Sequence, residues 1–134
     1  PEISYQKNKA AKCLVIDPCD IHIGKLCRAF ETGDEHDNEI IVQRVKDGFL
    51  GILAKASFAK FDQVVIILGN DILHVDGAKR ETTSGTKQDT DGMWYENFLV
   101  AKSLYIWMIE TAMQVAPVHV EFNPSNHDYT NGFF

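Results

Sequence analysis

Three short runs of the chain concentrate oxygen and nitrogen donors: Asp20-Ile21-His22-Ile23-Gly24, Gly69-Asn70-Asp71-Ile72-Leu73-His74 and Ser125-Asn126-His127-Asp128. Each alone is ordinary loop chemistry. Asp20 suits a turn, Asn126 tolerates left-handed backbone, and His74 passes for a loop histidine. Together they offer carboxylate, imidazole and amide oxygen, the donor set of Mn, Fe, Zn and similar divalent ions. An Asp-x-His pair in a loop can put two donors on one ion, and a single carboxylate on the middle run can bridge two. A two-ion site clamps a phosphate and generates a hydroxide nucleophile near neutral pH. Thiolate is not called for. Cys13, Cys19 and Cys27 are odd in number and lack C-x-x-C spacing, which fits reduced packing residues in a cytoplasmic compartment.

The hydropathy pattern says what must hold these runs. Residues 11–17 read as a short buried strand that Pro18 ends, and residues 18–38 as irregular. From Glu31 to Glu39 five carboxylates fall in nine residues without a Lys or Arg, which reads as a solvated acidic loop. Residues 39–60 carry Ile41, Val45, Ile52 and Ala56 at helical spacing. Gly48 and Gly51 weaken that helix or let another element approach it. Residues 63–68 are continuously apolar and β-branched, the pattern of a strand covered on both faces. A long polar connection, 69–91, leads to a second helix over 93–115. Its apolar stripe is Trp94, Phe98, Ala101, Tyr105, Met108 and Ala112. After Pro117, Val118, Val120 and Phe122 alternate with His119 and Glu121 as a third strand. The order is β-α-β-α-β, an α/β fold with helical crossovers, so the strands should be parallel. Each donor run then follows a strand, at the carboxyl ends where open parallel sheets gather their chemistry.

Placed after three strands, the runs resemble the D-x-H, G-D and G-N-H-D signature of the calcineurin-like metallophosphoesterases. The middle run is similar to the G-G-D-L-F-H block of the double-strand-break repair nucleases in that family, and the first to their D-x-H-x-G. Exonuclease-type phosphoesterases of bacteria and phages are the nearest comparison, over about residues 11–128. The resemblance implies the N-terminal half of an α/β/β/α sandwich and two divalent ions, with Mn the first expectation and Fe, Zn or Mg the others. It implies that Asp20 and His22 bind the first ion, that Asp71 bridges both and that Asn126 binds the second. His127 would then sit over the phosphate, Asp128 would orient that imidazole, and His74 would assist at the transition state without binding an ion. Ser125 and Asn70 stand where relatives carry Gly. The family's later G-H-x-H block has no counterpart here, and His36 and His119 read as ordinary loop and strand histidines.

Composition bounds the rest. The chain has 134 residues, enough for one domain, read as 1–134 and truncated relative to the family. A 45% hydrophobic and 24% charged make-up excludes disorder and fibrous structure. Thirteen basic against nineteen acidic side chains give a net charge of −6. That argues against a general electrostatic grip on nucleic acid or an anionic membrane, although bound divalent ions would reverse the sign locally. No apolar run is long enough to cross a bilayer. The expectation is a metal-dependent phosphodiesterase acting on DNA or another phosphodiester, possible also as a homodimer. The alternatives are a phosphomonoesterase or protein phosphatase with the same ligands, and a non-catalytic binding module. The Lys79-Arg80 pair reads as exposed loop. The connection from Val75 to Asp91 is expected to be weakly ordered, because its Gly, Thr and Ser content offers little apolar anchor.

Overall fold

A computed structural model describes residues 11–82 and 84–127. They form a mixed α/β unit with elements β1 (Cys13–Ile16), α1 (Ala29–Thr32), α2 (Asn38–Ala56), β2 (Gln63–Gly69), α3 (Trp94–Met113) and β3 (Val118–Asn123). The strands make one parallel sheet in the order β1-β2-β3. The expected β-α-β-α-β order holds. The addition is α1, a single turn inside the segment read as irregular, closed by Gly33 at φ 84°. No helix among the described residues is long and apolar enough to cross a membrane.

Local chemistry sets the helix ends. Asp37 caps α2, its carboxylate accepting the Ile40 N–H at 2.9 Å. That leaves one orphan donor fewer at the helix start. At the other end, the Ser57 hydroxyl donates to the Ala54 carbonyl and the helix stops at Ala56, short of Lys60. Glu96 accepts the Met93 N–H at 2.9 Å at the start of α3, and Pro117 bars its continuation.

Register puts Leu14, Ile16, Val64, Ile66 and Leu68 on one face of the sheet. Ile41 and Phe49 of α2 join that face in one core with Ala101, Leu104, Met108 and Ala112 of α3. The buried stripe of α3 therefore runs through Asn97 and Leu104, with Phe98 and Tyr105 half-buried at its flank and Trp94 exposed. On α2, Phe49 takes the place expected for Ile52, which is exposed. Among the described residues, helices cover one face of β2, not both as its apolar run predicted. On the far face Val65 and Ile67 are half-buried and Val15 is 57% exposed.

A methyl group at Gly48 or Gly51 would meet no neighbouring atom, so neither glycine serves a close helix approach. Both lie inside α2, where glycine costs about 0.5–1 kcal/mol relative to alanine. Gly48→Ala and Gly51→Ala should each raise the free energy of urea unfolding by that amount.

Candidate metal centre

Beyond β1 and β2 the chain stays paired although it leaves regular strand geometry. The Asp20 N–H donates to the Asn70 carbonyl at 2.8 Å, His22 to Asp71 at 2.9 Å and Ile23 to Ile72 at 2.7 Å. The His74 N–H returns to the Ile23 carbonyl at 3.0 Å, so the two loops are zipped together. Four residues here are left-handed: Asp20 (φ 56°), His22 (φ 54°), Asn70 (φ 50°) and Asp71 (φ 65°). Such backbone costs about 1–2 kcal/mol per residue, and Asn, Asp and His are the side chains that bear it best. The apolar residues between them pin the loops down. Ile21, Ile23, Ile72 and Leu73 are all buried in the core, so the polar side chains are thrown toward the sheet's carboxyl edge.

Two contacts place these loops on the scaffold. Gly24 has φ 95°, and a side chain there would strike the Asn97 amide. The Gly24 N–H donates to Asn38 Oδ1 at 2.7 Å, and Asn38 Nδ2 donates to Asn97 Oδ1 at 2.7 Å. Asn97 in turn donates to the Asp91 carbonyl at 2.9 Å, and the Asp91 N–H returns to the Gly24 carbonyl at 2.8 Å. This closed polar ring clamps the Asp20–Gly24 loop to the first turns of α2 and α3. On the other side Asn70 accepts an N–H from Asn123 and donates to Asp17 at 2.8 Å, tying all three strand ends. The Tyr105 hydroxyl accepts the Gly69 N–H at 2.7 Å.

The described residues of the long connection make backbone pairings that its composition does not report. Val75 and Thr82 are buried, and Glu81 pairs with Lys87 across a small antiparallel turn. Its far end bonds back to the first loop through Lys25–Thr90 pairing and the Leu26-to-Asp89 hydrogen bond. Backbone hydrogen bonds supply the anchor that the side chains lack. Lys79, Arg80 and Lys87 line one hollow on this loop together with Gln88 and Asp89.

The result is a cluster of donors. One ligand atom each from Asp20, His22 and Asp71 lies within 4.8 Å of the others. His22, His74 and His127 satisfy the same criterion. The ring centres are 4.7 Å apart for His22 and His127, 5.3 Å for His22 and His74, and 5.8 Å for the stacked His74 and His127. His22 Nδ1, Asp71 Oδ1 and His74 Nδ1 are buried and have no hydrogen-bond partner among the described residues. Buried polar atoms are rarely left so, because each costs roughly 1–3 kcal/mol. A divalent cation is the partner this set of lone pairs fits. Asp20 is largely exposed at the mouth and Asn126 is exposed in the turn ahead of His127, while Asp128 lies outside the described residues. The structure thus gathers Asp20, His22, Asp71, His74 and His127. His74 is buried among the imidazoles and not set apart from them. His119 pairs with Glu121 on β3, and His36 pairs through its backbone with Cys27, as ordinary strand and loop residues do.

Burial holds His22 below its ordinary pKa, with the His127 imidazole adding to the effect and Asp71 opposing it. Burial, with His22 and His127 close by, takes His74 from 6.5 to about 4. The unfolded chain therefore binds a proton at this position between pH 6.5 and 4 that the folded chain refuses. Stability of the metal-free protein should fall as the pH is lowered through that window. His74→Gln should flatten this part of the profile of Tm against pH.

The polar ring around Asn97 escaped the sequence reading. Its signal in the sequence is an amide one turn ahead of Ala101, in a buried stripe of α3 that is otherwise apolar. Comparison with family models, curated proteins and solved structures found no match.

Proposed function

We propose that the chain carries the catalytic site of a metal-dependent phosphodiesterase, a nuclease acting on DNA. The observation that carries this reading is the convergence of one ligand atom each of Asp20, His22 and Asp71 within 4.8 Å, with a buried carboxylate oxygen of Asp71 that has no partner among the described residues. Bound there, a divalent ion such as Mn would act as a Lewis acid on the phosphate and lower the pKa of water toward neutrality. The likeness to calcineurin-like metallophosphoesterases gives Asn126 as the ligand reserved for a second ion. The finer fold reading, one layer of that family's two-sheet sandwich, is supported by the apolar side chains Val15, Val65 and Ile67 on the far face of the sheet. Three unpaired cysteines fit a cytoplasmic setting.

The chain's own groups have separable tasks. His127 Nδ1 lies 2.8 Å from the His74 carbonyl oxygen. A carbonyl only accepts, so Nδ1 carries the proton and Nε2 is the free position. The same bond holds the ring whether Nε2 is bare or protonated, which suits a group that hands a proton to a leaving oxygen. His74 is neutral at working pH and acts through an N–H or a lone pair, not through charge. Lys79, Arg80 and Lys87 are the cations on the long connection best grouped to meet backbone phosphates.

The test is Mn-dependent hydrolysis of an oligonucleotide and a generic phosphodiester, set against a phosphomonoester. Diesters should be preferred, and His127→Ala should lower kcat by about 10²-fold or more with little change in Mn affinity. Preference for the monoester would shift the reading to a phosphatase. No turnover with metal bound would leave a binding module.

A further inference from the structure

We propose that His22, His74 and His127 form a second, all-nitrogen metal site selective for ions of the zinc class, and that it competes with the Asp20–His22–Asp71 site for His22. The competition rests on the functional reading above; the binding does not.

Three observations carry the site. Its three donor atoms lie within 4.8 Å of one another. Three nitrogens on one zinc at 2.0–2.1 Å stand roughly 3.3 Å apart, so small ring rotations close the gap. His74 is 7% exposed and its Nδ1 is buried with no hydrogen-bond partner among the described residues, as is Nδ1 of His22. A buried imidazole nitrogen with its hydrogen-bonding capacity unused among the described residues, on a ring packed against two other imidazoles, is suited to bind a metal. The third observation is the bond from His127 Nδ1 to the His74 carbonyl at 2.8 Å. Metal-binding histidines almost always spend their second ring N–H on such an acceptor, which fixes the tautomer and raises the basicity of the other nitrogen. Here it leaves Nε2 as the donor.

Ligand chemistry then sorts the ions. Imidazole alone suits Zn, Cu and Ni, whereas Mn and Mg prefer sites with carboxylate oxygen. Only the first set offers carboxylates, from Asp20 and Asp71. A neutral imidazole has one lone pair, so His22 serves one ion at a time. Zinc held by the three histidines would therefore deprive the oxygen-rich site of His22. It would also turn His127 Nε2 away from a leaving group. The arrangement makes zinc an inhibitor of a manganese enzyme through residues of the same pocket.

Calorimetric titration with ZnCl2 alone and with MnCl2 alone tests this without any activity assay. His127→Asn should weaken zinc at least ~10-fold and leave manganese within a factor of about three. Asp20→Asn should do the reverse. His127 is only half-buried, and far-UV circular dichroism of the variants confirms that they fold. Zinc affinity unchanged in His127→Asn, or zinc and manganese weakened equally by both substitutions, would overturn the second site. A protein that binds zinc through His127 but takes up no manganese would keep this site and remove the phosphodiesterase reading.

Discussion

Asp71→Asn is expected to lower manganese affinity by at least ~100-fold, about 2.7 kcal/mol, while the protein stays folded. The carboxylate belongs to the oxygen-rich donor set, and one of its oxygens is buried with no hydrogen-bond partner among the described residues. Asparagine keeps the size of the side chain and tolerates the φ of 65° that this position imposes. What it removes is the negative charge. An amide can still offer one neutral oxygen, so residual weak binding is compatible with the account. Calorimetry with MnCl2 reads the change. Unaltered affinity would mean that Asp71 is not a ligand.

Gly69→Ala is expected to be the most damaging small substitution in the sheet. Gly69 closes β2 at φ 93°, and a methyl group there would run into the carbonyl oxygen of Asn123 on β3. That neighbour is backbone and cannot swing aside. Left-handed strain and enforced separation of the strand ends together should cost about 3–5 kcal/mol. This is a large share of the 5–15 kcal/mol typical of a whole domain. The site should suffer with the fold, because Asn70 and Asp71 follow directly and the Asn70 N–H donates to that same carbonyl at 2.9 Å. Urea unfolding of Gly69→Ala beside Gly51→Ala makes the contrast. The first should lose stability and the second gain it, and equal behaviour would contradict the geometry described for Gly69.

The strands and long helices were legible because each carries its own periodic signal. Residues 63–68 could scarcely be anything but a strand, and the residues after Met93 recur at helical spacing. The gathering of Asp20, His22, Asp71, His74 and His127 was legible for a related reason: parallel order sends all three strand ends to one edge. What the sequence hid depends on partners distant in the chain. The ring through Gly24, Asn38, Asp91 and Asn97 joins four segments, and only Asn97, an amide in line with the apolar stripe of α3, stands out in its own stretch. The shift of the buried stripe on α3 toward Leu104 frees the half-buried Tyr105 to hydrogen-bond Gly69, a role that periodicity cannot reveal. The long connection looked loose because its side chains are polar. Its hold comes from backbone groups, which composition does not report. The burial of His74 among two other imidazoles follows from the zipping of the first two loops, and so could not be read from its spacing to Asp71.

The most direct measurement is anomalous diffraction at the manganese absorption edge from crystals equilibrated with MnCl2. The account predicts a peak within bonding distance of Asp20, His22 and Asp71, at the carboxyl ends of β1 and β2, and its loss in Asp71→Asn crystals. A wild-type map without a peak there, or with manganese only elsewhere on the surface, would contradict the metal centre.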